Sequence, residues 1–375
     1  MSNLSSQNQF SQRSKLIDFL RGLCLLVITI DHLPHDPLET FTWQTFGFFS
    51  AAEGFVFLSG LVSGIVYGRV AIREGIVPAW RRIRRRAITL YLYNAVLMTL
   101  AFLAAKEKLV VLGDKFSPGW SLWIKTLLCI ESPDYADILR MYVVFFLILP
   151  VVFWALIHNK FVYVAIVSAG LWFAASRGYG MVAFPQLGHF DLVSWQVLFI
   201  AGIYFGFSSI REQKEPEISN RYTAISIPIF TVFLVIRHWH GLTGHYWSPY
   251  FVWLASWRET LSVGRLLNFT VFTILLYRVR QSLSRVAKTL PGQALAFLGQ
   301  HSLQVFVWSV FVSMVMAEAD RRWPDTSPLR QSMVTTAIVI SCFIPAWAHQ
   351  KWQDQRREML RLKSVGQPTL PSFSS

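Results

Sequence analysis

Long runs of apolar residues constrain this chain more than any other feature. Charges are few or absent in stretches such as Leu23–Ile30, Phe46–Tyr67 and Ala87–Ala105. A bilayer core of about 30 Å needs roughly 20 such residues for each crossing helix. A helix of a water-soluble protein would keep a polar face instead. The pattern therefore predicts a polytopic integral membrane protein.

About ten crossings can be placed along the chain. The predicted spans are 16–33, 46–67, 87–105, 139–157, 161–176, 192–207, 222–237, 264–278, 295–316 and 331–347. Residues 120–130 are too short to cross and predict an interfacial or re-entrant helix. The predicted fold class is all-α: a transmembrane helix bundle of about ten helices, with both termini in the cytoplasm.

Basic residues concentrate in the short segments between apolar runs. The formal net charge is +14, and the 69–86 loop alone holds seven arginines. Cytoplasmic loops of membrane proteins carry such an excess of basic residues. This loop is therefore predicted to lie on the cytoplasmic side of a bacterial inner membrane. This placement argues against nucleic acid as a partner, while the charge would attract an anionic cytosolic substrate.

Three segments are expected. Residues 1–14 are rich in Ser, Asn and Gln and predict a disordered cytosolic tail. Residues 15–350 form the integral membrane domain, and residues 351–375 form a cytosolic basic helix with a disordered tail. No soluble domain is expected. No metal site is predicted either, because no carboxylate or Cys completes the pattern of His238, His240 and His245.

Ionisable groups within a span are costly and are functional candidates by default. The first span contains Asp18, Arg21, Asp31 and His32. Arg21 and His32 are 11 residues apart, about three helical turns, so they share one face about 16 Å apart along the axis. The alternative is a structural role: Asp18 and Arg21 would form an ion pair, and His32 would be an interfacial polar residue.

Two further spans carry polar residues. Glu53 lies at a depth similar to that of His32, within a stripe of small residues that suits close helix packing. A His–carboxylate pair would serve as general base and orienter, although a buried, neutral Glu53 explains the same pattern. His301 and Gln304 lie on one face of the ninth span, where they would line a cavity or join helices.

Six stretches are distinctive when taken together: IDFLRGLCLLVITIDH (17–32), FGFFSAAEGFVFLSGLVSGIVYG (46–68), DILRMYVVFFLILP (137–150), FDLVSWQVLFIAGIYFG (190–206), VGRLLNF (263–269) and LGQHSLQVFVWS (298–309). The first contains Arg21 and His32, with ten residues between them, and the second contains a Phe-rich Ser-Gly motif at 57–60, with Ser59. Together these stretches resemble the OpgC family, membrane succinyltransferases of periplasmic glucans within the acyltransferase-3 superfamily, whose Arg-x10-His signature and Ser-Gly motif they match.

The resemblance implies a reaction that the spacing of residues does not supply. An acyl group, succinyl in the family, would leave cytosolic acyl-CoA and end on a hydroxyl of an extracytoplasmic saccharide. Arg21 would hold a CoA phosphate, and His32 would deprotonate the acceptor, oriented by Glu53 or Asp31. The remaining candidate substrate-binding residues are Asp18, Ser59, His301 and Gln304.

Two other functions fit the sequence. The chain would be a transporter or flippase of a polysaccharide pathway, or a membrane partner without catalytic activity. The enzyme interpretation requires acyl-CoA as donor substrate and no permanently bound cofactor. Its expected partners are the lipid bilayer, acyl-CoA and a saccharide acceptor, with a homodimer left open.

Overall fold

The computed structural model describes residues 2–33, 37–110, 112, 119–133, 136–177, 190–213, 217–245, 247–248, 260–324 and 327–365. These residues form α-helices and connecting turns, and no strand occurs among them. The helices are α1 (Ser2–Asp31), α2 (Glu39–Thr42), α3 (Ala51–Arg73), α4 (Ile76–Lys106), α5 (Trp120–Leu127), α6 (Asp137–Ile157), α7 (Phe161–Ser176), α8 (Leu192–Arg211), α9 (Asn220–Thr243), α10 (Val263–Arg278), α11 (Arg280–Val286), α12 (Leu290–Gln300), α13 (Ser302–Arg322), α14 (Pro328–Ser341) and α15 (Phe343–Val365).

The all-α fold is confirmed for the described residues. Seven helical stretches there are long and apolar enough to cross a membrane: Ala51–Arg73, Ile76–Lys106, Asp137–Ile157, Leu192–Arg211, Asn220–Trp239, Ser302–Arg322 and Pro328–Leu362. The shorter α7 is also apolar. Helices α1 and α10 match the predicted spans 16–33 and 264–278 but are not among the seven. The total of ten spans and the orientation of the termini stay predictions.

Two predicted spans contain helix breaks. The predicted span 295–316 is divided at His301, which ends α12 and precedes α13 with φ −105° and ψ 27°. The predicted span 331–347 is divided at Cys342, between α14 and α15. His301 is therefore a junction residue and does not belong to a continuous polar stripe with Gln304. The apolar pattern runs through both breaks, so it gives no sign of them.

Helical structure extends into both end segments of the chain. Helix α1 extends back to Ser2, through the segment that its composition predicts to be disordered. At the other end, α15 continues to Val365, and residues 366–375 lie outside the described part. The domain boundaries at 14 and 350 stay predictions.

Glycines allow the backbones of α3 and α8 to come into contact. A Cβ at Gly60 would lie 2.2 Å from the carbonyl oxygen of Phe199, and one at Gly202 would lie 2.2 Å from that of Phe57. Gly64 and Gly206 make equivalent approaches one turn further along. Small residues permit such contact between membrane helices, where dispersion forces drive packing. The small-residue stripe of the second span thus packs as the sequence predicts.

Candidate functional site

A cavity of about 280 Å³ lies between α1, α3, α4, α6 and α13. Its apolar wall includes Phe55, Phe146 and Phe306. No carboxylate lines it within the described part of the chain, so two guanidinium groups give the cavity a positive charge. The polar residues that line it are Arg21, Ser59, Ser63, Tyr67, Arg86, Tyr142 and Ser302.

Close backbone packing fixes Arg21 at the cavity. The neighbouring Gly22 lies against α12, where an added Cβ would come 1.8 Å from the carbonyl oxygen of Leu295. The Arg21 guanidinium donates a hydrogen bond to the Ser302 hydroxyl through Nη2. Its Nε is buried and has no hydrogen-bond partner among the described residues. A buried, unsatisfied N–H is costly, so this donor is available to an anionic ligand.

Asp18 lies one turn before Arg21 on α1. Its carboxylate forms a side-chain hydrogen bond with Gln300 and interacts electrostatically with the Arg21 guanidinium. Asp18 therefore links α1 to the end of α12 and lies outside the cavity lining. In this position, Asp18 is better placed to orient Arg21 than to contact a substrate.

Arg86 supplies the second positive group. It lies on α4 at the end of the basic 69–86 segment and interacts electrostatically with the phenol groups of Tyr67 and Tyr93. No described carboxylate forms a salt bridge with it. Two guanidiniums around one cavity repel each other, and a ligand with more than one negative charge would relieve that repulsion.

Ser59 is oriented from the α6 side of the cavity. The Tyr142 hydroxyl lies 3.2 Å from Ser59 Oγ and 3.3 Å from the carbonyl oxygen of Phe55. Tyr142 is buried, with its ring edge against Phe55. The serine of the Phe-rich Ser-Gly motif thus lies in the same cavity as Arg21.

Glu53 belongs to a buried ionic network. Its Oε1 accepts a hydrogen bond from Arg265 Nε, and its Oε2 accepts from the Ser50 hydroxyl at 2.8 Å and the Ser50 amide at 3.0 Å. Arg265 is 0% exposed and Glu53 is 1% exposed. The same Ser50 hydroxyl also lies 3.2 Å from Arg265 Nη2. These contacts make Glu53 a charged structural residue that joins the start of α3 to the start of α10.

Asp31 and His32 lie at the C-terminal end of α1, away from the cavity. Helix α1 ends at Asp31, and His32 follows directly. Asp31 Oδ1 accepts a hydrogen bond of 2.6 Å from the Thr42 hydroxyl. At 1.5 Å per helical residue, Arg21 and His32 are separated by about 16 Å along the axis. The two residues of the signature therefore occupy different regions of the molecule.

The interface between α1 and α3 connects those regions. A Cβ at Gly54 would lie 3.1 Å from Cys24 Sγ, so α3 approaches α1 closely next to Glu53. Cys24 interacts electrostatically with both Arg21 and Glu53. The α1 face from Arg21 to His32 is thus packed along its middle by the helix that carries Ser59 and Glu53.

The other two predicted site residues form contacts between helices. Gln304 Nε2 donates a hydrogen bond of 3.0 Å to the Tyr93 hydroxyl. His301 is 3% exposed, and its Nδ1 lies 2.8 Å from Nδ1 of His349 on α15. Neither residue lines the Arg21 cavity, although Ser302, next to His301, does.

The histidines of the predicted outer loops have other contacts. His238 Nε2 lies 3.0 Å from the carbonyl oxygen of Thr45, and His245 Nδ1 lies 2.9 Å from that of Thr243. The side chain of His240 lies outside the described part. Within the described ranges, no group of three or more His, Cys, Asp and Glu could hold a metal ion.

Several residues of the site were not singled out from the sequence. Arg265 is an ionisable residue within the predicted span 264–278, so the rule that selected Arg21 would also have selected it. Arg86 was counted only as a basic residue of an inner loop. No sequence signal distinguishes the remaining three from ordinary helix residues: Tyr142, Ser302 and His349.

Comparison with known proteins identifies a family for this chain. No curated protein and no solved structure matches the chain. A family model described as "OpgC protein" matches residues 13–354, which include Arg21, His32, the arginine-lined cavity and the Glu53–Arg265 pair. That match covers nearly the whole chain, and it indicates a membrane protein of glucan modification with a transferase-type role. The chain belongs to the OpgC family.

Proposed function

We propose that the chain is a membrane O-acyltransferase of the bacterial inner membrane. It moves a succinyl group from cytosolic succinyl-CoA to a hydroxyl of an extracytoplasmic saccharide, a periplasmic glucan. The observation that carries the proposal is a cavity that two arginines line, with no carboxylate among the described residues, beside the helix whose C-terminal end is followed by His32.

Arg21 and Arg86 bind the phosphate groups of the donor in this proposal. Guanidinium groups match phosphate oxygens in charge and geometry. The unpartnered Nε of Arg21 and the serine and tyrosine hydroxyls of the lining offer further hydrogen bonds. In the proposal, the long pantetheine arm of CoA carries the thioester from this cavity toward His32, which requires α3 to move from its contact with α1 at Gly54 and Cys24.

His32 acts as the general base. It takes the proton of the saccharide hydroxyl while that oxygen attacks the thioester carbonyl carbon. The C–S bond then breaks, the ester stays on the saccharide, and the CoA thiolate takes the proton back from the imidazolium. An imidazole with an ordinary pKa near 6.5 is suited to both transfers at neutral pH.

Glu53 supports this reaction at a distance in the proposal. Its ion pair with Arg265 fixes the start of α3, which follows the segment between α1 and α3 that begins at His32. Arg265 therefore joins Glu53 and Asp31 as a positioning residue. The direct contact between Glu53 and His32 expected from the sequence stays a prediction.

Reconstitution in sealed vesicles tests the proposal. Purified protein is inserted into liposomes with periplasmic glucan inside and succinyl-CoA outside, and the glucan is then analysed by mass spectrometry. Glucan that gains succinyl mass in wild-type vesicles, but not in His32→Ala vesicles, supports acyl transfer. Glucan that crosses the membrane unchanged would favour a transporter, and unmodified glucan with no transport would overturn both activities.

A further inference from the structure

The turn at the junction of α12 and α13, defined as the last two residues of α12, His301 and the first residue of α13 (Gly299–Ser302), meets α1 through three of its four residues. A Cβ at Gly299 would lie 1.9 Å from the carbonyl oxygen of Asp18, so the two backbones are in contact. Gln300 forms a side-chain hydrogen bond with Asp18. Ser302 accepts the hydrogen bond from Arg21. The position of this turn therefore sets the position of the Arg21 guanidinium.

The fourth residue of the turn points to another helix. His301 Nδ1 lies 2.8 Å from Nδ1 of His349 on α15. The ring of Phe297 packs edge-on against His301, with 4.9 Å between ring centroids. The His349 ring stacks on Trp352, with 5.8 Å between centroids and 16° between planes. Both imidazoles are thus held in orientation by aromatic neighbours.

Hydrogen bonding assigns the proton within this pair. The side-chain amide nitrogen of Gln353, Nε2, lies 3.3 Å from Nε2 of His349. An amide nitrogen donates hydrogen bonds and does not accept them, so the His349 Nε2 is the acceptor of this contact. In this orientation of the Gln353 amide, neutral His349 carries its proton on Nδ1 and donates a hydrogen bond to Nδ1 of His301. The Gln350 side chain and the Asp354 carboxylate face His301, and the Arg86 guanidinium faces His349.

We propose that His349 is a positioning residue of the donor site, acting on Arg21 through His301 and Ser302. This inference rests on the proposed acyl-CoA-dependent function. The His349 N–H holds the buried His301 side chain, and His301 fixes the turn that presents Ser302 to Arg21. Helix α15, which begins within the last predicted span and continues beyond it, thereby contributes to the donor site without touching the donor.

Substitution of His349 should affect donor binding and leave the chemical step intact. His349→Leu introduces an apolar side chain of similar size and leaves His301 Nδ1 buried without a donor. The KM for succinyl-CoA should rise by roughly three- to tenfold, the range of a single buried hydrogen bond, while kcat per folded molecule stays nearly unchanged. His349→Gln offers an amide N–H to His301 and should restore most of the lost affinity.

Two further variants separate positioning from general damage to α15. Gln355→Leu places an apolar side chain at an exposed position of the same helix and should leave KM unchanged. Ser302→Ala should raise KM by itself, and the double variant with His349→Leu should be no worse than the weaker-binding single variant. Non-additivity of this kind identifies residues that act through one contact.

Equilibrium binding of CoA to the detergent-purified variants completes the test. An unchanged affinity in folded His349→Leu protein would overturn the inference while leaving acyl transfer in place. Additive losses in the double variant would overturn the route through Ser302. A wild-type protein that neither binds CoA nor transfers succinyl would overturn the proposed function, and this inference with it.

Discussion

Glu53 and Arg265 form an ion pair between residues 212 positions apart in the chain, and both side chains are almost completely buried. Removal of one partner leaves the other charge buried and uncompensated. Glu53→Gln should therefore lower the free energy of unfolding by about 3–5 kcal/mol, measured by denaturant unfolding in detergent micelles.

The exposed pair of Glu74 and Arg82 is the matched control for this prediction. Its side chains are 46% and 51% exposed, with 2.9 Å between the charged atoms. Exposed pairs contribute about 0–1 kcal/mol, so Glu74→Gln should leave stability almost unchanged. Equal losses in the two variants would contradict the importance of the buried pair.

Replacement of His32 should abolish transfer without unfolding the protein. Loss of a general base commonly lowers the rate by about 10²–10⁴, so His32→Ala should show that loss in succinyl transferred per folded molecule. His245→Ala removes an exposed histidine and should retain full activity. Near-normal turnover by well-folded His32→Ala protein would remove His32 from the mechanism.

Neighbouring arginines on α4 provide a sharp test of donor binding. Arg86 lines the cavity, whereas Arg85 is exposed and does not. Arg86→Gln should raise the KM for succinyl-CoA by about one to two orders of magnitude, the range for hydrogen bonds to charged groups. Arg85→Gln should have little effect.

Salt provides a second measurement of the same contact. Partly exposed ionic contacts weaken as ionic strength rises, so CoA affinity of the wild type should fall with added salt. The salt dependence should be shallower in Arg86→Gln and in Arg21→Ala. Affinity that is indifferent to salt and to both substitutions would contradict phosphate binding by these arginines.

The orientation of the bundle can be tested at Pro78, within the basic 69–86 segment. A cysteine at this position, in a background without Cys24, Cys129 and Cys342, should react with a membrane-impermeant maleimide only after the cytosolic side is made accessible. The physical reason is the seven arginines of the segment, which favour cytoplasmic retention. Labelling from outside intact spheroplasts would reverse the predicted topology.

The close approach of α3 and α8 predicts a strong effect of one methyl group. Gly202→Ala would place a Cβ 2.2 Å from the carbonyl oxygen of Phe57, so the helices must move apart. Overpacking of this kind lowers stability by about 1–3 kcal/mol, seen as a lower midpoint of thermal inactivation. Gly170→Ala meets nothing within 4 Å and should behave like the wild type.

The sequence predicts the fold class well because bilayer crossing imposes a simple rule. Long apolar runs must form helices in lipid, and their lengths can be counted. Helix breaks escape that rule, because His301 and Cys342 lie within runs that remain apolar on both sides. Backbone contacts and side-chain packing set these breaks, and a hydropathy pattern contains neither.

The candidate site is predicted only in part for a related reason. Arg21 stands out in an apolar span because its charge is unusual there. The residues it needs, Ser302 and Arg86, come from distant helices and are ordinary in type. Glu53 stands out equally, but only the structure reveals its ion pair with Arg265. The energetic cost of an ionisable group within a membrane indicates that the residue has a role. It does not tell whether that role is catalytic or structural.

The backbone contact between α3 and α8 has a mechanical consequence. Helices that interlock through glycines move as one rigid body, because sliding would drive a side chain into a carbonyl group. The glycine contact between α1 and α12 makes a second such body. Ser59 lies on the first body and Arg21 on the second, so a change in the distance between these two residues across the cavity is a displacement of one pair of helices against the other.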